Sequence, residues 1–387
     1  MSVDLYYNTC NSESIHEKVP IIMSTLSKLF TCLITLHFMV VSGVVHATTY
    51  NVSPGMVIQE TLDKAEPGDV IQILPGEYIG AIKITTPNLQ VLGMTFEGEH
   101  ALMTGFDKGL VSQLSNPIVI EADDVVVEGL HVRKFDGAAI VIKGRRNITL
   151  RDLDISTNYG NAITVEDSNE ITIEGCTVRS AGYVGLSLRG CGGVTVSRLE
   201  AYNNAIGLEV QDGVKIMFDQ LSLHDNAMGA LFLNSKSDQG NADNITISSS
   251  RILNNTQAKV YKNLPETAYF MPGVGIRMVG TSTCVVTRCH IEGNSTYGVM
   301  TEQAAHVEGM KPYPAEFTYV HHNEYANNGM NPSEEFKATK AEIPPGDIYW
   351  DEEGRRNQFQ EEGLPTTFPK KLITKFGGVH TGGFHFI

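Results

Sequence analysis

Five side chains in the middle of this 387-residue chain carry groups suited to work on an acidic substrate: Arg189, Glu209, Tyr261, Lys262 and Arg277. Either guanidinium can pair with a carboxylate through two parallel hydrogen bonds. The Tyr261 phenol or the Lys262 ammonium can exchange a proton, and Glu209 falls between the two arginines. Such a set can neutralise a carboxylate while a proton leaves the carbon beside it. A second arrangement uses two carboxylates: Glu166 and Glu209 form the best pair for acid–base hydrolysis, which needs groups about 5–10 Å apart. The competing reading is an ordinary solvated face, on which an Arg–Glu–Arg ladder only offsets like-charge stacking. Exposed pairs contribute roughly 0–1 kcal/mol, so on that reading Arg277→Ala changes stability little.

These residues are placed by a repeat. The runs "DVVVEGLHV", "NITLRDLDI", "EITIEGCTV", "GVTVSRLEA" and "KIMFDQLSL" begin at residues 124, 147, 170, 193 and 215, at spacings of 23, 23, 23 and 22. The runs that begin at 244 and 283 follow after 29 and 39 residues, lengthened by insertions. A second block lies roughly fifteen residues into each unit: "AIVI", "AITV", "GLSL", "GLEV", "GALF", "GIRM" and "GVMT". Three short strands in each coil of this length, each alternating with period two, predict an all-β, single-stranded right-handed parallel β-helix of at least seven turns. The stacking puts Val125, Ile148, Ile171, Val194, Ile216, Ile245 and Cys284 in one inward column, and Leu130, Leu153, Cys176, Leu199, Leu221, Ser250 and Cys289 in another. Asn158, Asn204, Asn226, Asn255, Asn294 and Asn328 recur at one turn, where asparagine tolerates left-handed backbone and its amide can bond the adjacent turn of the coil.

Alternation along the second block turns Ser187 and Arg189, Glu209 and Gln211, Leu231 and Leu233, Arg277 and Val279, and Met300 and Glu302 outward. Strands spaced about 4.8 Å apart bring Arg189 near Glu209 and set Arg277 two spacings beyond it. Insertions crowd the same side. Residues 256–273 supply Lys259, Tyr261, Lys262, Tyr269 and Phe270, and residues 234–243 follow the Leu231 strand. Long loops on one side of a regular coil are where function tends to sit.

The ends read differently. Residues 1–47 form a leader and signal peptide, with Lys28, an apolar run from Leu29 to Val45 and the small-residue exit "VHA" closing at Ala47. The β-helix domain takes residues 48–374, and 375–387 form a loose tail. A short capping helix over residues 54–66 covers the first coil, with Ser53 as N-cap and Ile58, Leu62 and Ala65 on its buried face. At the other end "GDIYWDEEGRRNQF" closes the coil. A formal net charge of −15 is no nucleic-acid footprint, and no segment after the leader is apolar enough to span a membrane. Cys176, Cys284 and Cys289 stand where other turns place Ile or Leu and read as buried thiols, with a disulfide or metal site as the alternative. His224, His290, His321 and His322 are scattered, and no metal-ligand spacing occurs, so neither metal nor other cofactor is expected.

The stretch "IQETLDKAEPGDVIQILPGEY" followed by "NITL…GNAITV" units resembles the pectin-lyase-like superfamily and its carbohydrate-binding and sugar-hydrolase repeats, over about residues 50–365. "NNAIGLEVQDG", "NNTQAKVYKNLPETAYFMPGVGIRMVG" and "GDIYWD" resemble exported bacterial parallel β-helix proteins of undefined activity. The resemblance implies a secreted or periplasmic protein whose "GLEV"-type sheet carries the working face. It also implies an anionic glycan as partner, and a polysaccharide lyase or C5-epimerase as the leading activity. In that chemistry Arg189 or Arg277 neutralises the uronate carboxylate and Tyr261 or Lys262 exchanges the C5 proton. The "DPHD" element of alginate epimerases and the calcium-binding aspartates of pectate lyases are absent from the sequence. A non-catalytic glycan-binding β-helix and an envelope scaffold therefore stay open as alternatives.

Overall fold

A computed structural model describes residues 47–105, 116–235, 242–256, 270–304, 313–339, 342–360, 365–370 and 372. Residues 1–46, all but the last of the expected leader, and the tail beyond Leu372 lie outside them. The chain coils right-handedly through three parallel sheets. Among the described residues the first has 12 strands and the second and third 11 each. One turn of the coil runs through Asn169–Glu174 in the first sheet, Thr177–Ala181 in the second and Val184–Arg189 in the third. Each strand then pairs with its counterpart one turn on, as Ile173 does with Val196 and Leu186 with Leu208.

Both inward columns form as the repeat predicts. Ile148 pairs with Val125 and Ile171, Ile216 with Val194 and Ile245, and Ile245 with Cys284, all of them buried. Leu130 through Cys289 line the corner between the first two sheets and are buried as well. The residue before each of them turns the corner with positive φ, whether glycine, as at Gly175 (64°), or not, as at Asp152 (49°) and Arg198 (52°). That conformation is costly for non-glycine residues. It is held because the neighbouring turn of the coil dictates where each corner must lie.

Cys176, Cys191, Cys284 and Cys289 are all buried, and Cys176, Cys191 and Cys284 are free thiols. Burial pushes the Cys176 and Cys284 thiols up to about 12, which keeps them protonated and unreactive. Cys176→Ala is expected to cost about 1–2 kcal/mol through lost packing. The denaturation midpoint of the parent protein should be the same with and without reductant. A midpoint that falls on reduction would mean that Cys176 is bridged.

The asparagines form a continuous ladder. Asn204 donates its backbone N–H and its Nδ2 to Oδ1 of Asn226, at 3.0 and 3.1 Å, and Asn226 does the same to Asn255, at 3.2 and 3.1 Å. The series continues through Asn294 and Asn328 and ends on Asp347 Oδ1. Asn158 belongs to the strand Asp154–Asn158, and its partner on the next turn is Ala181, so the amide series starts at Asn204. The left-handed backbone expected at the ladder asparagines falls one residue earlier, at Asn203, Asp225, Asn254 and Asn327. That residue makes the turn and so aims the following amide inward. The ladder also accounts for the glycines that open the third-sheet strands. A Cβ at Gly207 would stand 2.7 Å from Gly229 O and 2.9 Å from Asn226 Nδ2. Ala139 and Ala162 occupy the position in turns that precede the ladder.

At the N-terminal end the helix is only Ile58–Leu62. Its N-cap is Val57 without a side-chain bond, so Ser53 does not cap it. Ser53 instead belongs to a turn at Pro54–Gly55, where Gly55 has φ 92° and the Ser53 carbonyl accepts from Met56 N–H. Ile58 and Leu62 are buried as expected. At the other end Gly346–Trp350 does not close the coil: it continues the third sheet, beside Tyr297–Glu302, and Thr367–Phe368 follows it.

The second sheet's outer face is a run of ion pairs. His290 lies between Glu292 (2.9 Å) and Glu324 (3.2 Å); the hydrogen bond to Glu292 raises its pKa, desolvation lowers it by less, and the bond to Glu324 adds a smaller rise. A raised folded-state pKa means that His290 stabilises the fold in full below its unfolded value, and that this is lost as pH rises through the folded value. An NMR titration should find His290 titrating above His321, which burial and the neighbouring His322 depress. The reverse order would refute the carboxylate pairing.

Candidate functional site

The third sheet carries the predicted outward residues in two columns. One runs Val141, Thr164, Ser187, Glu209, Leu231, Arg277, Met300 and Tyr349, and the other Lys143, Glu166, Arg189, Gln211, Leu233, Val279 and Glu302. Glu209 and Arg277 are thus in one column with Leu231 between them, and Arg189 is diagonal to Glu209 in the other. The expected sheet and register hold. The competing reading, a face solvated along its length, does not.

Glu209, in the strand Ile206–Gln211, is 4% exposed. Its Oε2 accepts from Ser187 Oγ at 2.8 Å and lies 3.3 Å from Arg189 Nη2. Arg189, at the end of its strand, keeps its side chain 46% exposed. Arg277 is 4% exposed and faces Glu302 rather than Glu209: its Nε donates to Glu302 Oε1 at 2.7 Å, and its Nη2 bonds the same oxygen. The Arg–Glu–Arg set is therefore two separate pairs, Arg189–Glu209 at the edge of solvent and Arg277–Glu302 beneath cover. Tyr261 and Lys262, with Lys259 and Tyr269, lie outside the described residues.

A second hydrophobic layer buries the C-terminal half of this face. Leu231, Leu233, Val279, Met300 and Tyr349 pack with Met271, Ala304 and Phe336, and Phe270, Tyr313, Ile343 and Phe368 pad the margin. The strands Met228–Leu233, Val274–Val279 and Tyr297–Glu302 are consequently buried on both faces. Phe336 comes from a helix that the sequence reading missed, Glu334–Thr339, whose start is fixed by Ser333 Oγ accepting from Phe336 N–H at 3.2 Å. Burial also pushes the Tyr297 phenol up, and its hydroxyl donates to Pro344 O. The signal for this layer was present in the sequence. "GALFL" and "GVM" place apolar residues outward, where "AITVE" and "GLSLR" place polar ones.

In the N-terminal half Thr164, Ser187 and Glu209 are buried as well, and among the described residues the neighbouring column reaches solvent. Lys83, Lys143 and Arg189 reach solvent there, each against a carboxylate: Lys83 with Glu121 at 3.0 Å, Lys143 with Glu166 at 2.9 Å and Arg189 with Glu209. Among the described residues no group of three or more His, Cys, Asp or Glu side chains is placed to hold a metal ion, and no helix is long and apolar enough to cross a membrane.

Residues 116–311, just over half of the chain, match the family model described as "Right handed beta helix region". The chain belongs to this right-handed β-helix family. Solved structures agree on the architecture. The A-module of the mannuronan C-5 epimerase AlgE4 from Azotobacter vinelandii superposes with a TM-score of 0.52 at 13% identity, covering 79% of this chain and 83% of that one. The A-module of AlgE6 from the same organism gives 0.51 at 14%, covering 79% and 87%. XylC in complex with xylose gives 0.50 at 9%, covering 72% and 70%. At such identities the likeness is one of fold, that of a right-handed parallel β-helix. No curated protein matches it in sequence.

Proposed function

We propose that the chain is exported and acts on an anionic polysaccharide, by β-elimination or C5 epimerisation, on the open half of the third sheet around Arg189. One observation carries the reading. In each ion pair along this half the cation is the more exposed member: 54% against 46% for Lys83–Glu121, 66% against 30% for Lys143–Glu166 and 46% against 5% for Arg189–Glu209. Cations that reach further out than their carboxylate partners offer an anion donors although the whole chain is strongly negative. Support also comes from structural neighbours named for C-5 epimerisation of mannuronan.

In this reading Arg189 takes the uronate carboxylate, and the buried Glu209, braced by Ser187, positions the guanidinium. Pairing the carboxylate lowers the cost of the carbanion-like charge that develops when the C5 proton leaves. Tyr261 or Lys262 is assigned the proton exchange. In elimination the C5–H electron pair becomes the C4=C5 double bond, the C4–O bond breaks and the departing glycosyl oxygen takes up a proton. In epimerisation a proton returns to C5 from the opposite face. Arg277, turned to Glu302 beneath the cover, supports the closed half, which leaves the carboxylate to Arg189. Residues 1–47 are assigned as the removed leader and 48–374 as the exported domain.

The test is a panel of alginate, pectate and glycosaminoglycans, followed by ultraviolet absorbance of unsaturated products and by C5 proton exchange in deuterated water. Arg189→Ala should weaken binding or turnover tenfold or more, about 1.4 kcal/mol, in a protein that still folds. Binding without turnover would replace catalysis by glycan recognition. An Arg189→Ala protein as active as the parent would remove the site.

A further inference from the structure

One outward column of the third sheet stays accessible over six strands, from Ile82–Ile84 to Ile206–Gln211, about 24 Å at the usual strand spacing. It carries Lys143, Glu166, Arg189 and Gln211, with Lys83 and Glu121 at its start, while the neighbouring column is already buried at Thr164, Ser187 and Glu209. One strand further, Leu231 is 1% and Leu233 6% exposed. Both are already part of the apolar layer that Met271 and Phe336 build over the sheet. At the other end the first strand leaves Lys83 half exposed, and Gln59 of the capping helix bonds the Lys83 backbone N–H and carbonyl rather than its side chain. Among the described residues the polar track is open at its N-terminal end and walled at Leu231 and Leu233.

We infer that the track is blind-ended and takes an anionic glycan by a chain end, the terminal residues lying at Arg189 and Gln211 against the wall. This rests on the function proposed above and adds to it the mode of attack. A polymer laid along the columns has the row of outward cations on one side of Arg189. On the other side an interior segment would have to continue through a packed apolar layer, which has no room for it and whose cover would have to part. A terminal residue needs no such opening. Arg189, the exposed cation nearest the wall, is placed for the last or next-to-last carboxylate of the chain.

The experiment uses the mature protein with size-fractionated polymannuronate and polygalacturonate of one composition each, from short oligomers to long polymers. If only ends bind, the half-saturating concentration expressed in sugar residues rises in proportion to chain length, tenfold for a tenfold longer polymer. Turnover then releases products of one size from the first cycles while viscosity hardly falls. Arg189→Ala should remove the binding of short and long chains alike. Half-saturation per residue that is independent of length, or an early fall in viscosity with products of mixed size, overturns chain-end binding and leaves the glycan-acting reading intact. An end preference that survives Arg189→Ala unchanged overturns it too, because the ends are then held elsewhere. Failure of every polymer to bind overturns both readings together.

Discussion

Replacing Arg277 by alanine will destabilise the folded chain by about 3–5 kcal/mol, the usual cost of removing one member of a buried ion pair. The reason is the location of Glu302. It is 1% exposed, its Oε1 faces the Arg277 guanidinium, and the layer above it is built of Met271, Met300, Phe336 and Tyr349. Without the guanidinium a carboxylate remains buried in apolar surroundings, where it must either stay ionised at high cost or take up a proton. Chemical denaturation of the Arg277→Ala protein should therefore show a lower midpoint, with the deficit shrinking at acid pH as Glu302 becomes protonated. The double replacement Arg277→Met with Glu302→Leu should recover most of the loss, because an apolar pair of similar volume suits the layer. A single-variant cost under 1 kcal/mol would mean that Arg277 is solvated, as on the competing reading of an ordinary solvated face.

Asn226→Ala should be comparably damaging, at about 3–5 kcal/mol. The backbone N–H and Nδ2 of Asn204 both lose their acceptor, Ala201 O loses the donor that reaches it at 2.9 Å, and all of these groups are buried. Each buried polar group left without a partner costs about 1–3 kcal/mol, and the ladder passes the disturbance to its neighbours. Asn226→Asp keeps an acceptor for Asn204 but buries a carboxylate without a cation, so it should lose less than alanine only at acid pH, where the carboxyl is neutral. Equal stability of the alanine and aspartate proteins at acid pH would show that the ladder is not what holds this corner. Hydrogen exchange should also rise first at Asn204 and Ala205, since a solenoid opens between adjacent turns of its coil.

Much of the fold was legible because a 23-residue period converts a three-dimensional stacking problem into a one-dimensional one. Val125, Ile171, Val194 and Ile245 could be put in a single inward column by counting, as a one-residue slip would have turned each of them to solvent. The same counting set Glu209 and Arg277 two strands apart on the outer face of one sheet. What the period could not convey is what lies over that face. Ser333, Phe336 and Met271 come from segments outside the repeat, so their positions depend on packing between distant parts of the chain. For that reason Glu209 and Arg277, alike in the sequence as outward charges, differ in the structure: one braces an exposed arginine, and the other is sealed with Glu302. The sequence by itself determined the coil, its register and the direction of each side chain, because these follow from local alternation and neighbouring repeats. Only the tertiary structure decided which outward side chains meet water, because exposure depends on how far the inserted segments reach across the sheet.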